Sequence, residues 1–270
     1  MNKTLIHAAA LAALVTAWPA LAQKAGSGDG VVTITQAKAV NGGVTPGDAP
    51  GFPVSITQPG SYRLAGNLTL TDPNVGAIEI LAAGVTLDLG GFTVQGPNAC
   101  SPNPGGPGLV CTYPGSGPTP AGVALGPGSE GSTVRNGRLS GFRGDGIHGY
   151  AEGTRIDTLT VSDNGNVGVF ASQGVSVSSI VARRNAGHGV YAIGAVVRDA
   201  VVDGNGSTGV RLSGGLLVRS VVTRNGGHGL WGDGQSSGYR ETVFFANASG
   251  AGVAGLAKSL GDNLCDGSPC

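Results

Sequence analysis

The chain has 270 residues, and its 16 Lys and Arg balance 16 Asp and Glu, for no formal net charge. That balance, with no basic run anywhere, excludes a nucleic-acid-binding surface of the usual cationic kind. Glycine is extreme at 51 residues and charged residues are only 12%, but the glycines alternate with Val, Ile and Leu. This pattern predicts many short strands joined by tight turns rather than disorder or long helices.

In chain order, the first segment is MNKTLIHAAALAALVTAWPALAQ, with one early lysine, a short apolar run and then Ala20-Leu21-Ala22. It has the form of a secretory signal with cleavage after Ala22 (residues 1–22); a membrane anchor fits less well, because the run is short and no basic cluster follows. The mature chain is then exported to the periplasm or beyond, with no further membrane association. Residues 23–50 are rich in Gly and Pro and read as a flexible leader ahead of one solenoid domain, 51–270. The stretch SITQPGSYRLAGNLTL starts or caps that domain. Residues 96–120 carry many Gly and Pro and no apolar period, so they read as an inserted surface loop; residues 256–270 read as a C-terminal cap.

Cys100 and Cys111 lie in the insertion, Cys265 and Cys270 in the cap. An even count in an exported chain implies disulfides; three connectivities are possible, of which the two local pairs are the simplest. No histidine lies near either pair, which argues against zinc.

Between insertion and cap the sequence repeats. Asn164, Asn185, Asn205, Asn225 and Asn247 are spaced 21, 20, 20 and 22 residues apart. A Gly-aliphatic step follows each: Gly168-Val169, Gly189-Val190, Gly209-Val210, Gly229-Leu230 and Gly252-Val253. The same step stands upstream at Gly146-Ile147, Gly122-Val123 and, across the insertion, Ala77-Ile78. A period of about 20–22 residues over about eight units marks a solenoid. Strand alternation predicts two inward columns, one starting at Ile78 and one at Ile80, with a third through Val161, Ala182, Val202, Val222 and Phe244. The predicted fold class is all-β, a parallel β-helix in which each side chain stacks on its counterparts above and below. The Asn column should bond backbone at a bend and bond itself from turn to turn.

The stretches GGVTPGDAPGFPVSITQPGSYRLAGNLTL, AIEILAAGVTLDLGGFTVQGP, TVRNGRLSGFRGDGI and GDNLCDGSPC resemble those of right-handed parallel β-helix repeat proteins of the pectate-lyase-like superfamily, in particular a bacterial exported group of unassigned activity. The likeness spans nearly all of the mature chain and implies a fold and an export address, not a reaction.

Candidate chemistry is sparse. Gly-His-Gly occurs at His188 and His228, but in register with the repeat and two turns apart, about 9.6 Å, too far for one metal ion. Turn-lining histidines account for both, and no metal or cofactor is expected. The companion motifs of polygalacturonases, pectate lyases and alginate epimerases are missing. Acid–base work on sugars needs facing carboxylates or a base opposite a cation. Arg183, Asp199 and Asp203 are the nearest to that, and a solvated face of alternating charges explains them better than a catalytic or acidic-sugar-binding groove. More specific is the outward column Glu79, Ala124, His148, Phe170, Tyr191, Arg211, Trp231, Ala254. Phe170, Tyr191, Arg211 and Trp231 fall on four successive turns, in a row of about 14 Å. Such a row is either packing beneath a loop or partner, or a stacking platform for sugar rings. The sequence therefore reads as an exported monomer that binds polysaccharide through a lateral face. The alternatives are a polysaccharide lyase or glycoside hydrolase, and a structural or adhesive solenoid.

Protein recovered from the exported fraction is expected to begin at Gln23 and to hold two disulfides and no free thiol. Intact mass before and after reduction measures both; a retained leader or four free thiols would contradict the export reading.

Overall fold

The structure is a computed structural model and describes residues 30–104, 109–112, 117, 119–233, 236–250 and 252–270. The expected signal segment lies outside the described residues. The chain winds into a β-solenoid of about nine turns, one more than the repeat count, because Val54–Ile56 stacks beneath Ile78–Ile80 and opens a turn of its own.

One turn shows how residues make the coil. Val169–Ala171, Ser176–Ser178 and Val181–Arg183 are its three strands. Each pairs in parallel with its counterpart in the next turn, at Val190, Val196 and Val201. Parallel pairing in register preserves side-chain identity by column, so the predicted core columns are real. Val123, Ile147, Val169, Val190, Val210 and Leu230 are all fully buried, as are Val161, Ala182, Val202, Val222 and Phe244.

Corners need left-handed backbone, since three strands must close within 20–22 residues. Gly153, Gly174, Gly194 and Gly214, with φ between 60° and 78°, follow the first strand. Thr158, Ser179, Asp199, Arg219 and Glu241 form a second left-handed column after the second strand. Asp163, Arg184, Gly204, Arg224 and Ala246 form a third, immediately before each Asn. Polar residues tolerate this conformation better than branched apolar ones.

The Asn column is internal: Asn164, Asn185, Asn205 and Asn225 are at most 1% exposed. Nδ2 of Asn164, Asn185 and Asn205 donates to the next Oδ1 at 2.9 Å, and Nδ2 of Asn225 does so at 3.0 Å. Each of those Oδ1 atoms also accepts the backbone N–H of the preceding Asn. Nδ2 has a second acceptor one turn back, Val161 O for Asn185 and Ala182 O for Asn205. The Gly-aliphatic step follows from this ladder. A Cβ on Gly168, Gly189 or Gly209 would lie 2.6 Å from an Asn Nδ2, so only glycine lets the backbone pass. Phe142 ends the ladder: its N–H donates to Asn164 Oδ1 at 3.0 Å and its ring is buried.

The segment expected as a flexible leader is partly folded. Val31–Ile34 pairs with Gly60–Leu64, and Thr35 caps the helix Gln36–Asn41, with its side chain accepting from Lys38 N. Ile34 and Ala39 are fully buried. The physical reason is the open edge of the first turn, which this strand and helix cover. The described part of the insertion is not a plain loop either, because Ala99–Pro102 and Leu109–Thr112 form an antiparallel hairpin. Cys100 bonds Cys111 across it, and Cys265 bonds Cys270. The C-terminal segment continues the ninth turn, with Lys258 stacked on Gly238 and Leu264 on Val243, before a short antiparallel return at Ser268–Pro269.

Asn205→Leu removes an acceptor from Asn185 N and Nδ2 and a donor from Ala182 O, all buried. It is expected to cost about 1–3 kcal/mol, read as a lower denaturation midpoint. An unchanged midpoint would mean the ladder contributes nothing to stability.

Candidate functional site

First-strand alternation turns two rows of side chains outward. One is the row with His148, Phe170, Tyr191, Arg211 and Trp231, in register from turn to turn. The other lies two residues further along and includes Tyr150 and Asp233. Together they form one continuous strip. The rings of His148 and Phe170 stack at 4.4 Å with 10° between planes, and Tyr150 leans on both, at 4.6 and 5.3 Å. Tyr191 meets Phe170 edge-on at 5.4 Å. The guanidinium of Arg211 sits 4.9 Å above the Tyr191 ring centre. Trp231 follows on the next turn, with His228 at 5.1 Å.

Exposure corrects the sequence expectation at one place. Phe170 was expected on the surface, but it is only 9% exposed. His148, Tyr150 and Tyr191 crowd around it, so it is the floor of the strip. The open surface belongs to Tyr150 at 55% and Trp231 at 37%, with Tyr191 and Arg211 half-buried.

Two carboxylates organise the polar side of the strip. Asp233 accepts from Arg211 Nε and from Trp231 Nε1, each at 2.6 Å. It fixes the orientation of both. Asp145 Oδ2 lies 2.5 Å from His148 Nδ1, while its Oδ1 accepts from Asn166 Nδ2 and Val167 N. An imidazole held at Nδ1 by a carboxylate has its other nitrogen oriented for proton transfer. His228 Nδ1 pairs with Ser249 Oγ at 2.8 Å. His188 Nδ1 donates to Thr208 O at 3.3 Å, and its ring lies 6.0 Å from Tyr191. Burial pushes the His188 imidazole below the ordinary histidine range, and Arg211 adds to that push, while Thr208 and Asp233 oppose it.

The polar candidates Arg183, Asp199 and Asp203 lie apart from this strip. Asp199 sits at the corner after the second strand, held by Arg219 through two bonds of 2.9 and 3.0 Å and by Arg198 at 3.3 Å. Hydrogen bonding to Arg219 holds its carboxyl below the usual range. Asp203 ends the third strand, and Arg224 engages it at 2.7 Å. Arg183 is exposed and lies in register with Asp203. Asp163 and Arg184 make a further pair of the same kind, bonded twice at 2.8 Å. These ion pairs bridge successive corners on the solvated side, away from the first-strand strip.

His148, Tyr150, Asp145 and Asp233 are the contributors that sequence reasoning did not assign to the site. Period-2 alternation carried one step past Trp231 and His148 would have placed Asp233 and Tyr150 beside them. The Asp145–His148 contact crosses a bend, and no periodicity announces it.

Comparison with known proteins bears on the fold. No family model matches the chain, and no curated protein matches it. Among solved structures, pectate lyase Pel9A superposes with a TM-score of 0.57 at 14% identity, over 83% of this chain and 67% of that one. The A-module of the Azotobacter vinelandii mannuronan C-5 epimerase AlgE4 gives 0.55 at 16% identity, over 83% and 70%. The fold is a right-handed parallel β-helix, shared with these two structures. At these identities the likeness concerns the β-helix itself, so the strip has to be read from its own residues. No described helix of this β-helix is long and apolar enough to cross a membrane.

The half-buried His188, whose pKa burial lowers, generates a pH dependence. Its folded pKa lies below the unfolded value of about 6.5, so the unfolded chain binds the extra proton. Its contribution to stability is complete above that value and is lost as pH falls through the lowered folded pKa. Thermal melts across pH 7 to 5 are expected to show a shallower acid-side decline for His188→Gln than for the parent. Equal declines would mean that His188 does not titrate differently on folding.

Proposed function

We propose that this β-helix binds polysaccharide along the first-strand strip. The observation that carries the reading is the row His148, Phe170, Tyr191, Arg211 and Trp231, one side chain per turn, in which four rings and one guanidinium are aligned by register and Asp233 fixes the last two. Sugar rings present apolar C–H faces that stack on aromatic side chains, while hydroxyls find polar groups at the edge. Spacing of about 4.8 Å per turn brings more than one ring under a single saccharide unit. The structural neighbours fit a polysaccharide-related role, since by name one is a lyase of pectate and one an epimerase of mannuronan. Two disulfides are compatible with an exported protein that meets such polymers outside the cytoplasm.

A second reading, a polysaccharide lyase or glycoside hydrolase, is favoured by the Asp145–His148 pair beside the Tyr150 ring. That pair could move a proton on a bound sugar. Arg183, Asp199 and Asp203 give this reading less support, since each aspartate is already engaged by an arginine of its own.

Trp231→Ala is expected to weaken binding to immobilised polysaccharide by about tenfold, equivalent to about 1.4 kcal/mol. The melting temperature should hardly move, because the side chain lies outside the core. The same incubations assayed for released or unsaturated sugars separate binding from turnover. Loss of folding in the Trp231 variant, or unchanged binding, would make the strip packing rather than a platform.

A further inference from the structure

We infer that the strip selects neutral sugars and disfavours acidic ones. The inference rests on the binding reading above and adds its charge logic. A uronate polymer brings one carboxylate per ring, and holding it requires cations that are open toward the ligand. Along both outward rows of the first strands, Arg211 is the one Lys or Arg among the described residues. Its charge is already committed. Asp233 takes its Nε at 2.6 Å, and the Tyr191 ring lies against its guanidinium at 4.9 Å. An incoming sugar carboxylate would have to displace Asp233, which also anchors Trp231, or settle beside it.

The remaining charge along the strip is of the wrong sign for an acidic ligand. Glu79 stands in the outward row itself, Asp145 at its bend and Glu152 beyond Tyr150. Arg143, at the neighbouring bend, is engaged by Asn74 Oδ1 at 3.0 Å. The arginines that would attract uronates lie instead at the corners of the second and third strands, where Asp163, Asp199 and Asp203 engage Arg184, Arg219 and Arg224. Selectivity of this kind works by repulsion as much as by attraction. A neutral sugar loses nothing to these carboxylates and gains hydrogen-bond acceptors for its hydroxyls.

The full chain would be titrated against a neutral β-glucan, a neutral mannan, polygalacturonate and mannuronan, each at about 0.05 and 0.5 M salt. The parent is expected to bind at least one neutral polymer about tenfold more tightly than either acidic one, with affinity nearly constant across salt. Asp233→Asn should uncover Arg211 and raise affinity for the acidic polymers severalfold at low salt. That gain should vanish at high salt and in the double variant that also carries Arg211→Gln. Tighter parent binding to an acidic polymer, with a steep salt dependence, would overturn the selectivity while leaving the platform standing. No binding to any of the four polymers would retire the platform together with it. Should Asp233→Asn melt early, the parent's own salt dependence and polymer ranking decide. A folded Asp233→Asn protein without acidic gain would overturn the role given to Asp233.

Discussion

The buried amide ladder is the constraint on which the rest of this solenoid depends. Five Asn side chains link six backbone levels through bonds of 2.9 to 3.2 Å between turns. The Oδ1 atoms take the backbone N–H groups of Phe142, Asn164, Asn185, Asn205 and Asn225, and burial makes unsatisfied groups costly. The ladder in turn fixes the glycine that follows, because the next strand enters within 2.6 Å of an amide nitrogen. It thereby sets the register of the first strand, and first-strand register lines up the outward rings. A surface row of aromatics is thus the downstream result of an internal row of asparagines.

Where a residue's environment repeats, sequence alone was enough to place it. The core columns and the outward row follow from a period of 20–22 residues combined with strand alternation, and parallel pairing preserves both. Where the chain does something once, periodicity is silent. Val31–Ile34 and the short helix after it cover a single edge and have no counterpart to compare with. The hairpin of the insertion is likewise solitary. Phe170 was placed in the right row, yet its exposure depends on neighbours two residues off that row, Tyr150 above all, and a one-column reading cannot see them.

The charged residues divide into two populations with different physical roles. Corner residues such as Asp163, Asp199, Arg184 and Arg219 have positive φ and pair from one turn to the next. Exposed pairs of this sort contribute little each because solvent screens them, and they satisfy side chains that the corner geometry already prefers. Asp145 and Asp233 belong to the strip and hold aromatic or imidazole groups in fixed poses. The densest charge and the ordered rings therefore lie on different sides of the molecule.

The ladder also has a direction. From Asn164 to Asn225 each amide gives its proton to the turn ahead, and Phe142 closes the starting end with a backbone donor and a ring. A copied unit of 20 residues placed between Asn164 and Asn247 would find an acceptor in front and a donor behind, so it would splice in without leaving an amide bereft. The same unit placed ahead of Phe142 would find neither. Evolutionary lengthening by tandem duplication is thereby confined to one half of the coil, and each added copy would extend the outward row by one more position.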